Sequence, residues 1–147
     1  MQILEHQFLS LTNLITYTTK ADKKKIPEMI EYLSRGVRHL DRKLADKLIL
    51  TDANNGSYEF LIPVDKSIDS SSEYGFRESF HKPNAVSIRH EGSFSNIKET
   101  RKKLINHIMN KNYIMSPVTY YRFVRISKTN LSDCIIDIYI CIKQDHF

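Results

Sequence analysis

The sequence predicts an α+β fold in which a βαββ unit occurs twice, the strands forming one antiparallel sheet with both helices on one face. Three observations carry this. Tyr58-Glu59-Phe60-Leu61-Ile62-Pro63-Val64 and Ile136-Asp137-Ile138-Tyr139-Ile140-Cys141-Ile142 share one pattern: apolar, acid, three apolar, small, apolar. Each follows an amphipathic helix pattern and a turn-bounded apolar run. A Ser-rich stretch, Asp65 to Glu73, separates the two halves.

Taken in order, Phe8 to Thr19 is rich in β-branched and aromatic residues and reads as a strand. Asp22, a lysine run and Pro27 mark a helix start. Ile26, Ile30, Leu33, Val37, Leu40 and Leu44 follow at steps of three and four, which is one helical stripe. Leu48 to Thr51 is a short apolar run, and Asn54-Asn55-Gly56 turns the chain, since Asn and Gly tolerate positive φ. Tyr58 to Val64 is the returning strand.

In the second half, Phe76 to Phe80 and Ala85 to His90 read as two strands, and Glu91-Gly92-Ser93 as a turn. Ser95 is the expected cap of a helix reaching about Lys111, with Ile97, Leu104, Ile105, Ile108 and Met109 on its buried side. Thr119 to Ile126 is a strand, Lys128-Thr129-Asn130 a turn, and Cys134 to Lys143 the last strand.

Side chains alternate along a strand. In the last strand Cys134, Ile136, Ile138, Ile140 and Ile142 form an apolar face suited to the helices, each burial contributing roughly 1.5–3 kcal/mol. The other face carries Asp137 and Tyr139. In the matching strand the face away from the helices carries Glu59 and Leu61. Each half thus sets one carboxylate beside apolar or aromatic residues, and a cleft between the halves holding both would take a flat apolar ligand bearing a cationic group. Tyr120, Tyr121 and Phe123 adjoin it. Tyr121 shares a face with Phe123, Tyr120 with Arg122, and the pattern leaves open which set faces the cleft. The candidate ligand-binding residues are Glu59, Leu61, Tyr120, Tyr121, Phe123, Asp137 and Tyr139.

With 147 residues the chain is expected to be one domain, 1–147, with pseudo-repeats 1–66 and 74–147. Hydrophobic residues at 41% supply a core, and charged residues at 27% supply a solvated surface. No apolar run approaches the ~18 residues of a membrane span, and no signal-peptide pattern opens the chain, so a cytoplasmic address is expected.

The net charge of +5 lies mainly on helix faces: Arg35, Arg38, Arg42 and Lys43 on the first, Lys98, Arg101, Lys102, Lys103 and Lys111 on the second. Glu31, Asp41, Asp46 and Glu99 interrupt these faces, which disfavours nucleic acid as a partner. Cys134 and Cys141 are an odd number of residues apart, on opposite strand faces, and are expected not to bond. The six histidines show no ligand spacing, so neither metal nor cofactor is expected. No nucleophile, base and orienter assemble from spacing, so an enzyme is not expected.

Ala85-Val86-Ser87-Ile88-Arg89-His90-Glu91-Gly92-Ser93-Phe94-Ser95-Asn96-Ile97 resembles the strand, glycine turn and helix entry of the GyrI-like (gyrase-inhibitor-like) effector-binding domains. Leu104 to Tyr113, Pro117 and Tyr120-Tyr121 resemble that family's helix, proline and tyrosine-bearing strand. Ile136 to Ile142 and Tyr58 to Val64 resemble its two closing strands. The resemblance spans nearly the whole chain. It implies a duplicated βαββ fold with a ligand cleft between the halves, and a stand-alone bacterial protein binding a hydrophobic or cationic small molecule; some members are described as hydrolases using an acid and a tyrosine, an activity that does not carry over to this chain for want of the acid. Two features depart from the family pattern. Val118-Thr119-Tyr120-Tyr121-Arg122 lacks the acid that many ligand-binding members carry there, and the chain has no Trp. A looser resemblance, to short accessory proteins found beside type VII secretion genes of Gram-positive bacteria, implies a protein partner as the alternative.

Overall fold

The computed structural model describes residues 2–20, 22–126 and 132–144. The elements run β1 (Ile3–Thr19), α1 (Ile26–His39), β2 (Ile49–Asp52), β3 (Tyr58–Pro63), β4 (Gly75–Gly92), α2 (Ile97–Asn110), β5 (Tyr113–Arg125) and β6 (Cys134–Gln144). A single 3₁₀ turn leads into each helix, at Lys23–Lys25 and Phe94–Asn96. The expected turn at Lys128 to Asn130 lies outside the described residues.

All strand pairs are antiparallel, and the strands close into a ring ordered β1-β3-β2-β5-β6-β4. Each half lays its strands in the order first, third, second. The halves join twice, through β2 on β5 and β1 on β4. The α+β class and the shared helix face agree with the sequence reading; the closing of the sheet into a ring was not legible there. Ile26, Ile30 and Val37 of α1 and Leu104 and Ile108 of α2 all enter one core with Phe60, Ile62, Val86, Ile88, Ile136, Ile138 and Ile140. The other strand face holds a smaller core of Leu9, Leu14, Ile49, Leu61, Phe80 and Tyr120.

Four expectations are corrected. β4 is one strand, not two. It pairs with β1 along most of its length, and the interruption at Pro83-Asn84 becomes a bulge instead of an end. Asn84 takes φ 57°, which Asn tolerates, and its Nδ2 donates to the Ile142 carbonyl at 3.1 Å. Helix α1 stops at His39, because Asp41 adopts φ 55°; Leu44 leaves the stripe and bridges to Val64.

Ser93, not Ser95, caps the entry to α2, its side chain accepting from the Ser95 N–H. Met109 is 63% exposed, since Leu104 and Ile108 already centre the buried stripe and Thr100 completes it. Cys134 and Cys141 form no disulfide and fall on opposite faces as expected. No helix among the described residues is long and apolar enough to cross a membrane.

Two polar clusters fix the second half. His90, buried on β4, lies 2.7 Å through Nε2 from the Ser93 carbonyl and 2.6 Å through Nδ1 from Thr100 Oγ1. A carbonyl only accepts, so Nε2 carries the proton and Nδ1 accepts from the threonine hydroxyl. This ties the end of β4 to the first turn of α2. Glu5, at the start of β1, accepts from Tyr113 Oη at 2.6 Å and lies 3.1 Å from His107 Nε2, joining three elements. The Tyr113 hydroxyl first, then His107, hold the Glu5 carboxyl below its ordinary 4.5.

Thr100→Val keeps the side-chain volume and strands the buried Nδ1 of His90. Urea denaturation should show a loss of about 1–3 kcal/mol; an unchanged midpoint would mean the bond contributes nothing. For Glu5, the depressed value makes its stabilisation present above pH 4.5 and lost as pH falls through the lower folded value. Glu5→Gln should therefore flatten the acid limb of the stability–pH profile, and a parallel acid limb in both proteins counts against that linkage.

Candidate functional site

Strand parity divides the seven sequence-predicted residues. Glu59, Leu61, Tyr120, Asp137 and Tyr139 share the face away from the helices, Tyr120 sitting directly across from Tyr139. Tyr121 and Phe123 fall on the helix face. The expected single cleft is thereby corrected to two separate places, because β5 cannot point adjacent residues the same way.

At the first place, both carboxylates that the sequence pointed to are already paired. Glu59 pairs with Arg77 at 3.5 Å, and Asp137 makes a two-pronged pair with Arg89 at 2.8 and 3.1 Å. Arg122 approaches the same carboxylate at 3.9 Å and binds Asp46 at 2.9 Å. Leu61 is wholly buried, and the Phe80 ring meets Tyr120 edge-on at 5.5 Å, so rings from β4 and β5 fill this face where a ligand was expected. Asp137 and Tyr139 do line an open groove of about 710 Å³ with Leu4, Ser87, Arg89 and Glu91; Asp137 is already paired there, while Glu91 is exposed and makes no ion pair among the described residues.

The second place is a crevice on the helix face, where the N-terminal ends of α1 and α2 meet above β2, β3 and β5. Ile26 and Lys23 form one wall and Phe94, Ile97 and Lys98 the other; Leu50, Asp52, Tyr58, Tyr121 and Phe123 form the floor. The elements put these residues there for plain reasons. Asp52 ends β2, facing Tyr58 across one ladder and Thr119 across the other. The turn that follows uses Asn54 at φ 59° and Gly56 at φ 86°, and it locks the acid in place. The Asn54 N–H donates to Asp52 Oδ1 at 2.8 Å, and Asn54 Nδ2 donates to the Pro117 carbonyl at 2.7 Å.

Asp52 is 2% exposed. Tyr58 and Tyr121 are each 7% exposed, and neither hydroxyl has a hydrogen-bond partner among the described residues. The one fully buried side-chain oxygen without a partner among the described residues is Thr51 Oγ1, so both phenol oxygens keep contact with solvent while lining the crevice, where they can meet a polar group of a ligand. Burial pushes the Tyr121 phenol up to about 12, with Arg101 opposing and Asp52 and Tyr58 adding to the shift. Tyr58 is raised by burial and then by Asp52 and Asp22. Arg101 donates to Thr119 Oγ1 at 3.1 Å behind the floor. The crevice encloses about 30 Å³, room for roughly one water, so anything larger must part the helix ends.

Asp52 is the residue that the sequence reading missed. An Asp beside Asn-Asn-Gly reads as turn punctuation. The available signal was its place one residue past the apolar run of a short strand, in register beside the tyrosine-bearing strand. Val118 to Arg122 carries no acid, and Asp52 lies opposite Thr119 on the neighbouring strand.

The fold is that of the GyrI-like effector-binding domains. Among solved structures, the C-terminal domain of EcmrR superposes with a TM-score of 0.74 at 13% identity, covering 98% of this chain and 99% of that domain. The EcmrR chain in a complex with DNA gives the same TM-score at 12% identity; there 97% of this chain covers 58% of the longer one. A hydrolase from Listeria innocua follows at a TM-score of 0.59 and 10% identity, with 97% and 91% covered. No family model and no curated protein sequence matches the chain.

The raised Tyr121 value gives a test of the floor. A phenol whose folded value exceeds its ordinary 10.0 contributes stability that is full below pH 10.0 and lost as pH rises through about 12. Phenolate absorbance should show two groups titrating near 12, Tyr120 and Tyr121, one of which is missing from Tyr121→Phe. Loss of amplitude near 10 in that variant, with the amplitude near 12 kept, would place Tyr121 in contact with solvent.

Proposed function

We propose that this protein binds a small aromatic molecule without transforming it, in the crevice between the N-terminal ends of α1 and α2. The observation that carries this reading is the floor of the crevice. A buried carboxylate and two partnerless tyrosine hydroxyls lie among the rings of Tyr58, Tyr121 and Phe123. Such a surface gives a flat ligand apolar contact and fixes its orientation through a few polar groups. The walls come from both halves of the chain, so the ligand would sit between the halves, as the sequence led one to expect, but on the helix side of the sheet. The likeness to the EcmrR effector-binding domain supports the reading. Tyr121 and Phe123 remain in the proposed site, whereas Glu59, Leu61, Tyr120, Asp137 and Tyr139 do not.

Backbone amide NMR during titration with naphthalene-ring compounds of either charge separates the two places. Shifts should gather at Leu50 to Tyr58, Phe94 to Lys98 and Thr119 to Phe123. Shifts gathered at Ser87, Arg89, Asp137 and Tyr139 would move the site to the opposite groove, and none at millimolar ligand would remove the binding role.

A further inference from the structure

The charges around the crevice are unequal, and their arrangement bears on the class of ligand. Lys23 and Lys98 stand on its two walls, one from each helix entry, and both are exposed. The single acid in the lining is Asp52, at the floor. One of its oxygens already accepts the Asn54 N–H, and Arg101 lies close enough to influence the adjoining Tyr121. Of the acids nearby, Asp22 accepts the Lys24 N–H, while Glu28 and Glu99 sit exposed on the first helical turns outside the lining.

Both helices are 14 residues long and begin at this space, α1 behind a 3₁₀ turn capped by the Asp22 side chain and α2 behind one capped by Ser93. Helix N-termini attract negative charge. Tyr58 and Tyr121, each 7% exposed as whole residues and lining the crevice, supply hydroxyl donors with no partner among the described residues in the same place. A phenol is protonated at neutral pH, so each hydroxyl can donate its hydrogen to an anionic oxygen.

Resting on the binding reading above, we propose that the ligand is an aromatic acid: its ring lies against Tyr58, Tyr121 and Phe123, and its carboxylate, sulfonate or equivalent anionic group is held between Lys23 and Lys98. Asp52 then acts on ring substituents that donate hydrogen bonds and discriminates against a second negative charge at the floor. The mouth of the site therefore selects against the simple aromatic cation that the chain's resemblance suggests.

A matched pair of probes tests this: 1-naphthalenesulfonate and 1-naphthylmethylammonium, which carry one ring and opposite charges. Calorimetric titration of the wild-type chain should give the sulfonate at least about fivefold tighter binding, the scale of two rim charges. Lys23→Glu/Lys98→Glu should reverse the preference. Lys102→Glu/Lys103→Glu changes net charge equally, away from the crevice, and should leave it in place; circular dichroism checks the fold of each variant. A wild-type preference for the ammonium probe, lost in Tyr121→Ala, would overturn this inference and leave the binding reading standing. Equal weakening by both double variants would reduce the preference to bulk charge and also overturn it. Binding of neither probe would overturn both.

Discussion

The helices bury Ile26, Ile30, Val37, Leu104 and Ile108 against one side of the strand ring, and this contact decides where every other side chain falls. Once the isoleucines of β6 meet the helices, alternation and antiparallel register fix the rest. Ile138 faces Tyr121, Tyr121 faces Leu50, and Leu50 faces Phe60. A single row thus runs from the last strand of the second half to the last strand of the first. Asp52 and Tyr58 lie one step along from it on the same side. The crevice is therefore a consequence of the hydrophobic packing: the two helix entries cannot come together anywhere else above this row.

The same contact explains the fate of the other face. A closed ring has an interior that must be filled as well as an exterior that must be covered. Leu9, Leu14 and Phe80 of the long β1–β4 ribbon meet Ile49, Leu61 and Tyr120. The paired acids Glu59 and Asp137 fall on this side, where each is matched with an arginine of β4. Their repetition between the halves is structural: each closes a cross-strand ion pair.

The helix-facing half of the core could be read from the chain because strict alternation over Cys134 to Ile142 and the three-and-four steps of Ile26 to Val37 are strong periodic signals. Weaker features were not legible, for identifiable reasons. Pro83-Asn84 reads as a break, and only the uninterrupted β1 opposite it makes a bulge the better outcome. Ring closure needs β1 to pair with β4, and no local pattern reports a partner some seventy residues away. The choice between Tyr120 and Tyr121 depends on the side to which β5 turns, set by its pairing with β6. Asp52 was hidden because the chemistry that suits a turn and the chemistry that suits a buried site use the same residue.

The narrowness of the crevice matters for affinity. The crevice has room for about one water, so if it takes the ligand proposed above, the helix ends must part and observed affinity falls by the fraction of molecules that are open. The two walls are held by unequal polar ties. On the α2 side, Ser93 and Thr100 are held to β4 by a buried histidine with both ring nitrogens engaged. On the α1 side, the corresponding tie is the exposed Asp22 carboxylate accepting the Lys24 N–H at 3.0 Å. An exposed hydrogen bond exchanges with water at little net cost, whereas a buried one leaves groups unsatisfied when it breaks. In polar contacts the entry of α1 is thus tied to the sheet less than that of α2, while buried Ile26 and Pro27 still anchor it. In the ligand reading proposed above, Lys23 stands on the wall with fewer polar ties to the sheet and Lys98 on the wall with more.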